Sequence, residues 1–361
     1  MKQFIFILIL ALGLLTQSLA AQTRPATRPA VDVRVDPRVE LVCIIFRMAG
    51  SNEYLAGKIP GYRRDVDEHF GPLAQHPAVQ LARKLRTERS LGFYAPMSLA
   101  IHLTDSFDEK VPLVPLPAEV DGRWPPADAR LFAKEAKDFA QKAGFAEFLQ
   151  SHRDLYDLTE ARMRKTLEEH AHLEWFGQYF GTRSQVRFHV VPGLLNGGNC
   201  YGIRFQNGEQ QDMYCILGVW DADPAGMPRF ATSVIPTVVH EFGHSHVNPL
   251  VNRRLADFER AGRKLFARSE QTMRRQAYGQ WETVIYESLV RATVVRYRNA
   301  HDGPLAAMAE VLEQTSRGFV WTGELSKLLD QYESDRKTYP YFEDFMPRIV
   351  EFFDEYTSRK P

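Results

Sequence analysis

The 361-residue chain has no excess of charge: 45 Lys and Arg are matched by 45 Asp and Glu. That balance gives no support for a nucleic-acid or membrane-surface partner. It has only three cysteines, Cys43, Cys200 and Cys215, without the spacing of a Cys metal site. In an oxidising compartment one bridge is expected at most, and Cys200–Cys215 is the pair closest in sequence. Three buried free thiols are the equal alternative. No apolar run reaches the ~20 residues that a membrane span needs. No internal repeat is present beyond a doubled Thr-Arg-Pro-Ala.

What is present begins with an export signal. Lys2 supplies a positive start, Phe4 to Leu15 is unbroken apolar sequence, and Ser18-Leu19-Ala20 before Ala21 is a small-x-small cleavage site. A signal peptide over 1–20, a Pro/Thr/Arg tether over 21–30 and a secreted or periplasmic mature protein are therefore expected. The residue directly after the cleavage site is Ala21, not Cys, which argues against a lipid anchor. With 44% hydrophobic residues the remainder is long enough to bury a sizeable core.

From Val31 onward the pattern predicts one mostly helical α+β domain over 31–361. Val39 to Phe46 (VELVCIIF) is continuous and β-branched, so a buried strand is expected. Helical spacing follows at 64–70 and 77–86, with a buried helix at 92–103. A loop with five prolines spans 112–126, and a helical block, broken near Gly144 and Ser151, spans 127–180. Alternation at 186–191, 201–205 and 213–220 predicts a small antiparallel-rich sheet, at least partly a hairpin. Helices are expected after it at 255–268, 279–299, 304–315, 323–333 and 342–356.

The chemistry is concentrated between sheet and helices, in SVIPTVVHEFGHSHVNP (233–249). A helix capped by Ser233, with Pro236 in its first turn and Asn248-Pro249 as its stop, is expected here. At 100° per residue His240, His244 and Thr237 share one face, while Ile235, Val238 and Phe242 take the opposite one. Two imidazoles turned off the apolar stripe can serve one metal ion, and Glu241 beside them can serve as general base. The five-residue pattern alone arises by chance in roughly one chain of this length in a hundred. Gly243 is costly in mid-helix and allows close approach of another element. His246 falls on the apolar side and reads as a packed histidine. Asn248 reads as a cap, or else as a group that orients a ligand.

A third metal ligand is sought on the helix at 279–299, which is apolar almost all round. Glu282 sits in its first turn, where solvent and the helix dipole satisfy it. Glu287 lies deeper, where a carboxylate needs a strong partner. An i,i+4 pair with Arg291 is one explanation and metal ligation the other; burial cost favours Glu287 over Glu282 as the ligand. Zinc on His240, His244 and Glu287 would lower the pKa of a bound water to about 7. Tyr278, Tyr286 and His189 are the candidate donors to an oxyanion. The loop 195–202 (LNGGNCYG) offers Asn199 and Tyr201 as weak substrate contacts, against a plain hairpin turn.

HExxH followed by a helix-borne Glu resembles the gluzincin group of zinc metallopeptidases, over roughly residues 186–300. That resemblance implies a zincin-like fold, Zn2+ on His240, His244 and Glu287, Glu241 as base, and a peptide or protein substrate. The longer HEFGHSHVNP, with RVELVCIIFRMAGSNEY, the run at 76–79 and GFYAPMSLAIHL, resembles the bacterial family labelled domain of unknown function 4932. The competing reading is a noncatalytic extracellular binding protein on the same scaffold. A purely structural zinc site favours four protein ligands and needs no base at Glu241.

Overall fold

A computed structural model describes residues 31–181 and 186–359. The expected leader (1–20) and tether (21–30) lie outside the described residues. Strand β1 (Val31–Val33) is followed by eight helices and then a ninth: α1 (Pro37–Met48), α2 (Asn52–Leu55), α3 (Pro60–Phe70), α4 (Pro77–Arg89), α5 (Tyr94–Ile101), α6 (Pro126–Lys142), α7 (Phe145–Ser151), α8 (Arg153–His170) and α9 (Glu174–Phe180). Strands β2 (Val186–Gly193), β3 (Tyr201–Asn207) and β4 (Gln210–Gly218) come next. The chain continues with α10 (Ile235–Asn252), α11 (Leu255–Arg275), α12 (Trp281–His301), α13 (Pro304–Ser316), α14 (Thr322–Ser334) and α15 (Phe342–Ser358). Among the described residues no helix is long and apolar enough to cross a membrane.

The architecture is α+β, with the sheet between two helical layers. Successive strand residues point to opposite faces, and the two faces feed two cores. Val191, Tyr201, Ile203, Tyr214 and Ile216 pack with α1, α5 and α6 on one side. Phe188, Val190, Met213, Cys215 and Leu217 pack with α10, α12 and α15 on the other.

Two expectations are corrected. VELVCIIF is not a strand but the body of α1. Every residue from Val39 to Phe46 is fully buried, so no polar face marks the helical period, and a buried helix then reads as a strand. The start signal was present: Asp36 accepts from the Arg38 N–H at 2.9 Å and Pro37 takes the first helical position. The sheet is mixed rather than antiparallel-rich, in order β1-β2-β4-β3. β1 and β4 both run parallel to β2; only β3–β4 is antiparallel, a hairpin closed by Gly208-Glu209. The 194–200 segment is therefore not a hairpin turn: it carries the chain past β4 to the outer edge. The three cysteines are free thiols.

Glu40 of α1 is fully buried in the first core. It accepts the Tyr62 hydroxyl at 2.6 Å and the Leu194 N–H at 3.2 Å, and burial pushes it up to about 7. The folded state then holds a proton that the unfolded chain releases near 4.5, so Glu40's contribution is full below 4.5 and is lost as pH rises through 7. Glu40→Gln removes this dependence. Urea titrations at pH 5 and 8 are expected to show wild type losing about 2 kcal/mol relative to the variant; parallel pH profiles would refute it.

Candidate metal centre

α10 supplies the centre. It packs closely on α12: a Cβ added at Gly243 would lie 3.1 Å from Val290 Cγ1. This approach brings His240, His244 and Glu287 together, their ligand atoms all within 4.8 Å of one another. His244 Nε2 stands 3.1 Å from His240 Nε2 and 3.3 Å from Glu287 Oε1, and His240 Nε2 stands 3.5 Å from Glu287 Oε2. Glu282, in the first turn of α12, is not part of the group.

The helix differs from expectation at both ends. A short 3-10 turn, Thr232–Val234, precedes it, and the N-cap is Val234 with no side-chain cap. Pro249 lies inside the helix, which runs on to Asn252. Val247 and Val251 are fully buried, and their burial outweighs the backbone bond that Pro249 cannot make. Asn248 is thereby freed from capping. Its Oδ1 lies 3.2 Å from His244 Nδ1; the amide oxygen accepts, so Nδ1 carries a proton and Nε2 is the nitrogen turned to the group.

Glu287 makes the i,i+4 pair with Arg291 and also faces the two histidines. Arg291 donates to its Oε2 at 2.7 Å, while its two oxygens face the histidines. Arg291 in turn donates to Tyr278 Oη at 3.0 Å and to Gln314 Oε1, with its guanidinium 4.5 Å from the centre of the Phe319 ring. Burial alone would push Glu287 up, but Arg291 and the histidines outweigh it and hold the carboxyl well below its usual range. Burial pushes His240 down; in His244 it is outweighed by the Glu287 hydrogen bond, which raises it.

Glu241 sits beside the triad, and burial pushes it up to about 7, offset in part by His244 and the Gly202 N–H. Here the β3 backbone lies directly against the α10 backbone. A Cβ at Gly202 would lie 1.9 Å from the Glu241 carbonyl oxygen, so only glycine fits there. His240, Glu241, Tyr278 and Arg291 open onto a cleft of about 1280 Å³, walled also by Cys200, Trp220 and Thr237.

The other sequence candidates are placed as follows. Tyr278 lines the cleft. Tyr286 hydrogen-bonds Asn252 at the end of α10. His189 is on the sheet face opposite α10, 3.1 Å from Asp32 and stacked on Tyr214. Asn199 donates to the backbone oxygens of Asn196 and Glu53, and Tyr201 is buried in the first core; neither lines the cleft, whereas their neighbours Gly198 and Cys200 do. His246 is packed between α10 and the rings of Phe176 and Phe180. A second His/acid group, His76, Glu135 and Asp138, has no free imidazole nitrogen. Nδ1 accepts the Ala78 N–H in a helix cap and Nε2 bonds Asp138 at 2.9 Å. Sequence reasoning missed Gly202, whose role depends on tertiary packing, and Gln314. It left Asn248 open, although i+4 from His244 is a spacing that reaches an imidazole.

No curated protein and no solved structure matches the chain. A family model does, over residues 31–352, and the chain belongs to that family, the Domain of unknown function (DUF4932).

Proposed function

We propose that the protein is a zinc-dependent hydrolase of peptide bonds, secreted or periplasmic, with a zincin-like arrangement at its centre. The observation that carries this reading is the convergence of two imidazole Nε2 atoms and one carboxylate beside a second carboxylate that opens onto the same cleft. The donor set fits zinc: two histidines and one glutamate leave the open position that catalysis needs. With Asn248 fixing a proton of His244 on Nδ1, Nε2 faces His240 Nε2 at 3.1 Å, and a cation between them satisfies both.

Zinc held there supplies Lewis acidity toward a water and a substrate carbonyl. The protein's own part is proton handling. Glu241, pushed up to about 7, is suited to take a proton from the attacking water and return it to the leaving amine. Tyr278 accepts from Arg291, so its own hydroxyl proton is available to the cleft and to a developing oxyanion.

The test is metal analysis of the purified chain with digestion of a broad peptide library. Stoichiometric zinc and cleavage are expected; absence of either removes the reading. In the same assay Glu287→Ala is expected to lose zinc and Glu282→Ala to keep it. The reverse result would move the third ligand to Glu282.

A further inference from the structure

Helix α13 has two opposite faces. The inner one packs on α12 and serves the cleft: Glu310 accepts from Arg298 at 3.0 Å and from Gln314 at 2.6 Å, and Gln314 accepts from Arg291. The outer one carries three large apolar side chains in water. Leu305, Met308 and Leu312 are 77%, 58% and 65% exposed. With 3.6 residues per turn, these three fall with Ala309 and Ser316 in one arc about 100° wide. Single exposed apolar residues are ordinary, but a stripe at i, i+3 and i+7 is the seam of a helix pair. We propose that this arc is where the protein pairs with a second copy of itself, α13 against α13, antiparallel about a two-fold axis.

The choice of a second copy rests on charge and spacing. Near a two-fold axis a charged side chain meets its own counterpart, so a self-pairing face must be neutral there. The arc is neutral throughout. The two charged residues of α13 are Glu310 and Glu313; both line the cleft, and Glu313 is paired with Arg317 at 2.9 Å. A membrane surface calls instead for basic residues flanking the apolar face, and α13 contains no Lys or Arg. The spacing is also symmetric. An axis between Met308 and Ala309 sets Leu305 against the partner's Leu312, and Met308 over the partner's Ala309, a large side chain on a small one. Such a patch is on the order of 300 Å², short of the about 800 Å² per partner of a tight dimer, so the pair is reversible. The cleft side chains lie on the far side of the helix and stay open in it. The pairing does not rest on the chemistry proposed for His240, His244 and Glu287.

Sedimentation velocity of the purified protein, from about 1 μM to about 300 μM, tests the pairing. One chain is expected at the low end and two at the high end. Leu312→Glu is expected to weaken association by at least about tenfold, by setting a charge into the seam, with an unchanged melting temperature because the position is already exposed. Orientation is read by oxidative cross-linking. Cys43 and Cys215 are buried and Cys200 lies in the cleft, so wild type is expected not to cross-link. Met308→Cys, beside the axis, is expected to form a disulfide-linked dimer. Leu305→Cys is expected not to, because its own counterpart lies about 10 Å further along the partner helix. Four results would overturn the proposal: one chain at every loading, a dimer that Leu312→Glu leaves intact, cross-linking of Leu305→Cys as readily as Met308→Cys, or a monomer that co-floats with phosphatidylglycerol vesicles.

Discussion

Glu241→Gln is expected to lower peptide cleavage by about 10²–10⁴-fold, the usual range for loss of a positioned acid–base group, while zinc stays bound. The substitution isolates proton transfer because little else changes. Gln has the shape of Glu and fills the same space. The α10–β3 contact at Gly202 is made by backbone, not by the Glu241 side chain, so the seam stays closed. Glu241 is outside the group formed by His240, His244 and Glu287, so metal content should equal that of wild type. Stability should be equal or slightly higher, because burial opposes ionisation at this position. Measured side by side, zinc content, melting temperature and turnover separate the roles. Loss of zinc would mean that Glu241 is a ligand; retained turnover would mean that another group moves the proton.

The parts of this centre that were legible in sequence are those set by local periodicity. His240 and His244 were read from their position off the apolar stripe of one helix. Glu287 was read from the cost of a carboxylate in a helix that is otherwise apolar. The helices from Leu255 onward have their expected order, with ends shifted by one or two residues except in α11, which runs on to Arg275; most have a polar face, and α12, buried almost all round, is the exception. Where burial is complete that signal vanishes, and α1 was misread for this reason. Strand order was not legible either. Alternation reports the two faces of a strand, not its neighbours, so nothing in Val186–Gly193 told that β4 rather than β3 would lie beside it. The three residues of β1 were too few to show alternation. Pro249 misled because a local rule for ending helices was overridden by the burial of Val247 and Val251. Gly202 and Gln314 act only through elements far away in sequence, and no spacing announces them.

Arg291→Met is expected to be among the most damaging single changes, costing about 3–5 kcal/mol in metal-free protein, as does removal of one partner from a buried ion pair. Glu287 and Arg291 side chains are 7% and 4% exposed. Without the guanidinium, Glu287 keeps only the histidines to balance its charge, and in EDTA no cation replaces it. Gln314 Oε1 and Tyr278 Oη lose their donor at the same time, and the Phe319 ring loses the cation beside it. Met restores part of the packing volume but none of the charge. The cause of the damage can be separated by a second substitution. If a stranded carboxylate is the main cost, then Glu287→Gln in the Arg291→Met background removes that charge and should recover about half of the loss, making the double variant more stable than the single one. A simple loss of contacts predicts the opposite order, since Glu287→Gln would then only remove further interactions with His240 and His244. Urea midpoints of wild type, both single variants and the double variant in EDTA decide between them. A double variant less stable than Arg291→Met would show that packing and hydrogen bonds around Gln314, rather than the charge of Glu287, hold α12 against α13.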